Sequence, residues 1–440
     1  MRHVIRRAAA AIVETLEQRT LLSASAASIS QIQLGGGQVE LRIDAGTGNH
    51  RINVQETPQG LVVADNGVSR TISGDFQSLI IHGGSGNNSI VVDPSVNITT
   101  SIYGGPHKNL LAAGSGDDTL VCLGSKADTL VGGSGRDSFW MDSNPKEKIV
   151  NLRADEIAAG AVHRVGAFFN GTALFKRGMA HLAAAPATAG AKAERHLAEP
   201  ATTDGSTYQD FSSHPLFAPA GPSPDDIYQG DIGDCYFLAT LGAVAKTDPS
   251  RIRQSILDLG DGTYLVRYFR GTASVYVRVD GELPTVGGNL DYAGLGGDGS
   301  IWAAVMEKAY AVFHGPTPGY VSIDGGWMDQ AFSALGASSV SLYGTSSPAD
   351  LLGEIEADLA AGQAVTYATS TPADGASLLP SHAYMVDQID VDSSGDPISL
   401  RLRNPWGIDG AGNDGANDGY VTVTAQQAFD SMLGVVSADA

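Results

Sequence analysis

Apolar and polar residues alternate in short runs from residue 28 to 103: IQLGGGQVELRID, RINVQE, GLVVAD, VSRTISG, FQSLIIHGG, NSIVVD and VNITTSIYGG. A period of two marks strands with one buried face. The runs are short and punctuated by Gly and Asn, so this stretch predicts all-β structure, as a solenoid or a sandwich. The second half reads differently. IWAAVMEKAYAVF places Ile301, Val305, Ala309 and Val312 at helical spacing, and PADLLGEIEADLAAG is a further helix ending at Gly362. TYLVRYF and SVYVRVDGELP read as a hairpin, and QAVTYATS, HAYMVDQIDV and ISLRLRN as strands. The pattern predicts a multidomain chain. An all-β solenoid comes first, and an α+β region with a helical lobe (225–340) and a strand-rich lobe (341–440) follows, with a cleft between the lobes.

Residues 104–140 decide between solenoid and sandwich. They divide into nine-residue units: GGPHKNLLA, AGSGDDTLV, the extra residue Cys122, LGSKADTLV and GGSGRDSFW, with GGSGNNSIV upstream at 83–91. The sixth positions are Asn88, Asn109, Asp118, Asp128 and Asp137, and the inward apolar positions are Ile90, Leu111, Leu120, Leu130 and Phe139. The last unit resembles the glycine-rich calcium nonapeptide at every defined position. That resemblance implies a β-roll over 28–140, with Asp118, Asp128 and Asp137 as Ca²⁺ ligands. Ca²⁺ prefers hard oxygen donors, and so few acids imply few, weak sites.

Residues 141–175 read as a cap on the solenoid. Residues 176–224, rich in Ala, Pro and Thr and without periodicity, read as a linker. A net charge of −21 argues against nucleic acid as a partner. No apolar stretch is long enough for a transmembrane segment. Residues 1–27 read as a targeting segment, basic at the start, with an apolar run too short for a secretory signal. LEQRTLLSA within it resembles an N-terminal motif of many exported or surface-associated bacterial proteins. It implies export and cell-surface association.

Candidate chemistry centres on QGDIGDCYFLATL, which holds Cys235, one of only two cysteines beside Cys122. The apolar run after Cys235 places it at a helix N-terminus, where partial positive charge favours the nucleophilic thiolate. Gln229 is near enough in sequence to turn its amide beside the sulfur and serve a developing oxyanion. His382 and Asn404 fall on two neighbouring strands, the first as base and the second as its orienting acceptor.

Taken together, DIYQGDIGDCYFLATL, VRVDGELP, WAAVMEKAYAVF, DGGWMDQAFSALG, HAYMVDQ, LRLRNPWG and DGYVTVTAQQAF resemble the protease core of calpains, in order, over 225–440. The resemblance implies a papain-like two-lobe fold and hydrolysis of protein substrates through a thioester. Cys235, His382, Asn404 and Gln229 would be catalytic. Gly325 and Gly326 would contact substrate backbone, and Trp406 would shield the His382–Asn404 bond. It also implies Ca²⁺, with Asp226 and Glu307 as ligands in the first lobe. In the second lobe only Asp418 persists, and Tyr420 stands where an acid is expected, so partial calcium dependence follows. Ser381 occupies a position that is glycine in calpains. Two other readings compete. One is a non-catalytic surface or adhesion protein with a vestigial peptidase fold, which the intact Gln, Cys, His and Asn set opposes. The other is transglutaminase-like acyl transfer, which Asn404 disfavours because that chemistry uses an aspartate.

Overall fold

The computed structural model describes residues 26–33, 38–124, 127–169, 174–175, 197, 199–203, 205–315, 319–342, 344–411 and 416–439. The expected targeting segment as far as residue 25, and the expected linker as far as residue 196, lie outside them. The chain divides into two compact units, with the division falling after Gly166.

The first unit is a coil of two facing sheets. From residue 78 successive strands alternate between the sheets, and every pairing between coils is parallel. Ser101 pairs with Thr119 and Thr119 with Ser138, so one coil takes about two nine-residue units. All five expected inward residues are fully buried, stacked with Leu41, Ile52 and Leu79. The preceding strands extend the same sheets by antiparallel hairpins, Ser28–Gln33 with Val39–Asp44 and Arg51–Thr57 with Gly60–Asp65. The coil continues beyond 140 through Lys148–Ile149 and Val162–Val165. Residues 168–169 and 174–175, expected in the cap, belong instead to the second unit, where Phe169 pairs with Val277.

The sixth positions explain how the rungs hold together. Asn88 Oδ1 accepts from His50 N at 3.0 Å, Asn109 Oδ1 from Asn88 N at 3.1 Å and Asp128 Oδ1 from Asn109 N at 2.5 Å. Along the other edge, Asp118 Oδ1 accepts from Thr100 N at 2.8 Å and Asp137 Oδ1 from Asp118 N at 3.1 Å. Each side chain thus satisfies a backbone N–H of the rung before it, which tight turns would otherwise bury unpaired.

The second unit carries the α+β fold. The Cys235–Thr247 helix is buried along nearly its whole length and packs with the Trp302–His314 helix in one core. Behind it runs a six-stranded antiparallel sheet: Ser339–Leu342, Met432–Asp439, Gln363–Thr369, Ala383–Val391, Pro397–Arg403 and Tyr420–Thr424. Its own core includes Leu351, Tyr367, Tyr384, Leu400 and Val423. The segment after 199, expected to be linker, is bound into this unit. Glu199 pairs with Lys308 at 2.5 Å, and Thr207–Asp210 pairs with Glu282–Val286.

Candidate active site

Cys235 is the first residue of its helix, as expected, with Asp234 as N-cap. His382 stands just before the strand Ala383–Val391, and Asn404 just after its neighbour Pro397–Arg403. The pairing of Met385 with Arg403 sets the two strand ends side by side. Cys235, His382, Gln229 and Trp406 line one cavity of about 770 Å³, together with Thr203, Asp324 and Ser381.

The hydrogen bonds at Asn404 decide the histidine's chemistry. Asn404 is fully buried, and its Nδ2 donates to Asp409 O at 3.1 Å. Its Oδ1 must therefore face His382 Nε2, 2.9 Å away, and it also accepts from Trp406 N at 3.0 Å. An amide oxygen only accepts, so Nε2 carries the proton and Nδ1 is left with its lone pair, the form a base requires. The Trp406 ring lies 5.2 Å from the imidazole at 64°. His382 N donates to Thr369 Oγ1 at 3.0 Å, fixing the turn that bears the ring.

The thiol differs from expectation. Burial, with the Asp234 carboxylate beside it, pushes Cys235 up to about 11, although the Ala383 backbone N–H opposes the shift. Desolvation of the anion outweighs the helix N-terminus here. Burial likewise lowers His382, and the Asn404 bond offsets this only in part. Both shifts favour the neutral thiol and the neutral imidazole in the substrate-free site.

Gln229 Nε2 donates one hydrogen to Ile232 O at 2.6 Å, which pins the amide on the cavity wall with a second hydrogen to offer. Gly325 has φ +86 and nothing near its absent Cβ, and its N–H donates to Gly233 O at 2.8 Å. At Gly326 a Cβ would meet the Tyr236 ring at 2.4 Å, so this glycine makes room for the buried ring that follows Cys235.

The expected calcium ligands do not fit the ion. Asp226 Oδ2 accepts from Ser223 N and from Trp302 Nε1, each at 2.9 Å, and Ser300 lies beside the same carboxylate. Two N–H donors thus occupy one of its two oxygens. Glu307, expected to join Asp226, is fully buried elsewhere: both its oxygens accept from Ala293 N, and it lies against Asp234. Burial raises both of those carboxyls; Asp234 adds to the rise of Glu307, whereas the bond to Glu307 opposes that of Asp234. Asp118, Asp128 and Asp137 are buried in the solenoid ladders rather than gathered around a cation position. Among the described residues no three ligating side chains converge as a metal site.

Sequence reasoning missed Thr203 and Asp324 on the cavity wall. Asp324 Oδ1 accepts from Gly233 N at 3.1 Å and braces the loop ahead of Cys235. Its place beside the Gly325–Gly326 pair was the available signal.

The family model described as calpain family cysteine protease matches residues 194–418. Calpain clp-4 of Caenorhabditis elegans is 30% identical over 227 residues, which cover 47% of this chain and 31% of that protein. Human Calpain-8 is 30% identical over 208 residues, covering 44% and 29%, and the chicken Calpain-2 catalytic subunit is 28% identical over 214, covering 45% and 30%. The chain thus matches under a third of the length of these relatives.

Proposed function

This chain belongs to the calpain family of cysteine proteases, and we propose that it is a working endopeptidase whose nucleophile is Cys235. The observation that carries the reading is the locked Asn404 amide, which leaves His382 Nδ1 as the basic nitrogen on the cavity that Cys235 also lines. In the reaction Nδ1 takes the thiol proton as sulfur attacks the scissile carbonyl. The free hydrogen of Gln229 Nε2 and the Cys235 N–H face the developing oxyanion. The imidazolium returns its proton to the leaving amine, and a thioester to Cys235 remains. Water, deprotonated by the same Nδ1, then releases the acid. Asn404 holds one tautomer throughout, and Trp406 covers the His382–Asn404 bond.

Protein substrates follow from this chemistry. Calcium is the finer expectation of the family, and the hydrogen-bonded state of Asp226 and Glu307 supports turnover without it. Export and surface association rest on the LEQRTLLSA motif alone, and cell fractionation tests them. The peptidase reading is tested with a casein-like substrate and a thiol-directed activity probe. The wild type should cleave and be labelled, and Cys235→Ser should do neither. Cleavage retained by the variant rejects the assignment.

A further inference from the structure

Two segments run side by side behind the cleft, and each carries part of the catalytic set. Gln229 N donates to Pro405 O at 2.8 Å. Two residues earlier, Ile227 O accepts from both terminal nitrogens of Arg403 at 3.3 Å. Arg403 Nε donates to Asp225 Oδ1 at 3.2 Å, and the same oxygen accepts from the Tyr420 hydroxyl at 2.9 Å. The guanidinium carbon lies 5.7 Å from the centre of the Tyr420 ring.

The network joins the two lobes. Asp225, Ile227 and Gln229 lead into Cys235, while Arg403 and Pro405 flank Asn404, and Tyr420 opens the adjacent edge strand. The Arg403 side chain is 3% exposed and Asp225 70%. An exposed ion pair alone holds little. A buried planar guanidinium with its donors spread over a carbonyl and a carboxylate is different, because its fork admits one arrangement. None of the three side chains lines the substrate cavity.

We propose that Asp225, Arg403 and Tyr420 form a clamp of protein groups alone, which holds Asn404 and His382 in register with Gln229 and Cys235 without a metal ion. The inference rests on the peptidase reading and adds to it three positioning residues and a calcium-free route to the aligned cleft. The physical need is plain. Two lobes that carry halves of one site must be aligned to within a fraction of an ångström for proton transfer and attack. Here the alignment is set one residue from Asn404.

The test uses the full chain and a fluorogenic peptide. Tyr420→Phe removes the hydroxyl, and Asp225→Asn removes the charge; both residues face solvent in part, so both variants should fold. For each we expect kcat to fall about tenfold while KM changes by less than about twofold, the signature of misalignment rather than lost binding. Asp225→Glu should recover most of the kcat, and the wild-type rate should be the same in chelator and in added Ca²⁺. Unchanged kcat in both variants overturns the clamp, as does a wild type that turns over only with calcium. A wild type that cleaves nothing and takes no thiol probe under either condition instead rejects the peptidase reading, and the clamp with it.

Discussion

Asn404 Oδ1 accepts two hydrogen bonds at once, from His382 Nε2 at 2.9 Å and from Trp406 N at 3.0 Å, while its Nδ2 donates to Asp409 O. The residue cannot rotate its amide without breaking all three. Asn404→Ala should therefore cost more than one orienting bond: it frees the imidazole to exchange tautomers and strands a buried N–H and carbonyl. We expect kcat to drop on the order of a hundredfold or more, with KM little changed. Asn404→Asp restores an acceptor and introduces a buried charge, so it should recover part of the rate and raise the histidine pKa. Steady-state kinetics over a pH series checks both variants. An Asn404→Ala enzyme at wild-type kcat would remove Asn404 from the mechanism.

Burial favours the neutral thiol and the neutral imidazole in the substrate-free site, and this sets the expected pH dependence. Burial lowers His382 from its ordinary 6.5, so the ring loses its proton below that pH and is a competent base throughout the neutral range. The acid limb of kcat/KM should therefore fall below pH 6.5. Burial has pushed Cys235 up to about 11, so its thiolate is scarce at neutral pH. Alkylation of the substrate-free enzyme by iodoacetamide should accelerate steadily through the alkaline range. An alkylation rate already level at neutral pH would show a preformed thiolate–imidazolium pair.

Ser381 has φ +50, in the left-handed region, immediately before His382 and on the cavity wall. A left-handed L-residue costs about 1–2 kcal/mol. Ser381→Gly removes that cost but gives back about 0.4–1 kcal/mol of chain entropy in the unfolded state. Relief of the backbone strain outweighs the added chain entropy, so the variant should be more stable by a few tenths to about 1 kcal/mol. Denaturant unfolding of the two proteins is the comparison, and a destabilised variant would mean that the serine side chain does more than endure the strain.

The legible features were those set by local pattern. The nine-residue units identified the inward residues Ile90, Leu111, Leu120, Leu130 and Phe139, because a rung buries whichever side chain its own turn points inward; Ile102, equally buried beside Leu120, lies outside those units and was missed. The grouping of the candidate site residues was legible because Cys235 opens a helix and His382 and Asn404 lie at the ends of neighbouring strands. The rest depends on partners distant in sequence. Phe169 joins the peptidase sheet through Val277, which nothing near Phe169 announces. The Ala- and Pro-rich composition before 225 hides the Glu199–Lys308 pair and the Thr207–Asp210 strand. Glu307 sits on the helix where the resemblance expects a ligand, yet the fold turns it toward Asp234 and Ala293. Arg403 follows Leu402 and breaks the strand's alternation by being buried itself, for a reason visible only once Asp225 and Tyr420 are beside it.

The same contrast between motif and environment gives a test in the solenoid. Asp118 Oδ1 accepts from the buried Thr100 N at 2.8 Å, and burial raises its carboxyl to about 7. The folded form then keeps a proton that the unfolded chain releases near its ordinary value of 3.8. Stability from this group is thus full below that value and is lost as pH rises through about 7. Asp118→Asn keeps an acceptor for Thr100 N and has no proton to lose. It should flatten the fall in stability between about pH 4 and 7 and be the more stable protein at about pH 8. Asp118→Ala should cost about 1–3 kcal/mol at every pH, because Thr100 N is left buried and unpaired. Thermal melts of the solenoid unit within the full chain, followed by far-UV circular dichroism, separate the three proteins. Chelator should leave the wild-type melt unchanged, since one oxygen of each of Asp118, Asp128 and Asp137 is engaged by a backbone N–H of the ladder. A melt lowered by chelator, with Asp118→Asn behaving like Asp118→Ala, would return these carboxylates to calcium.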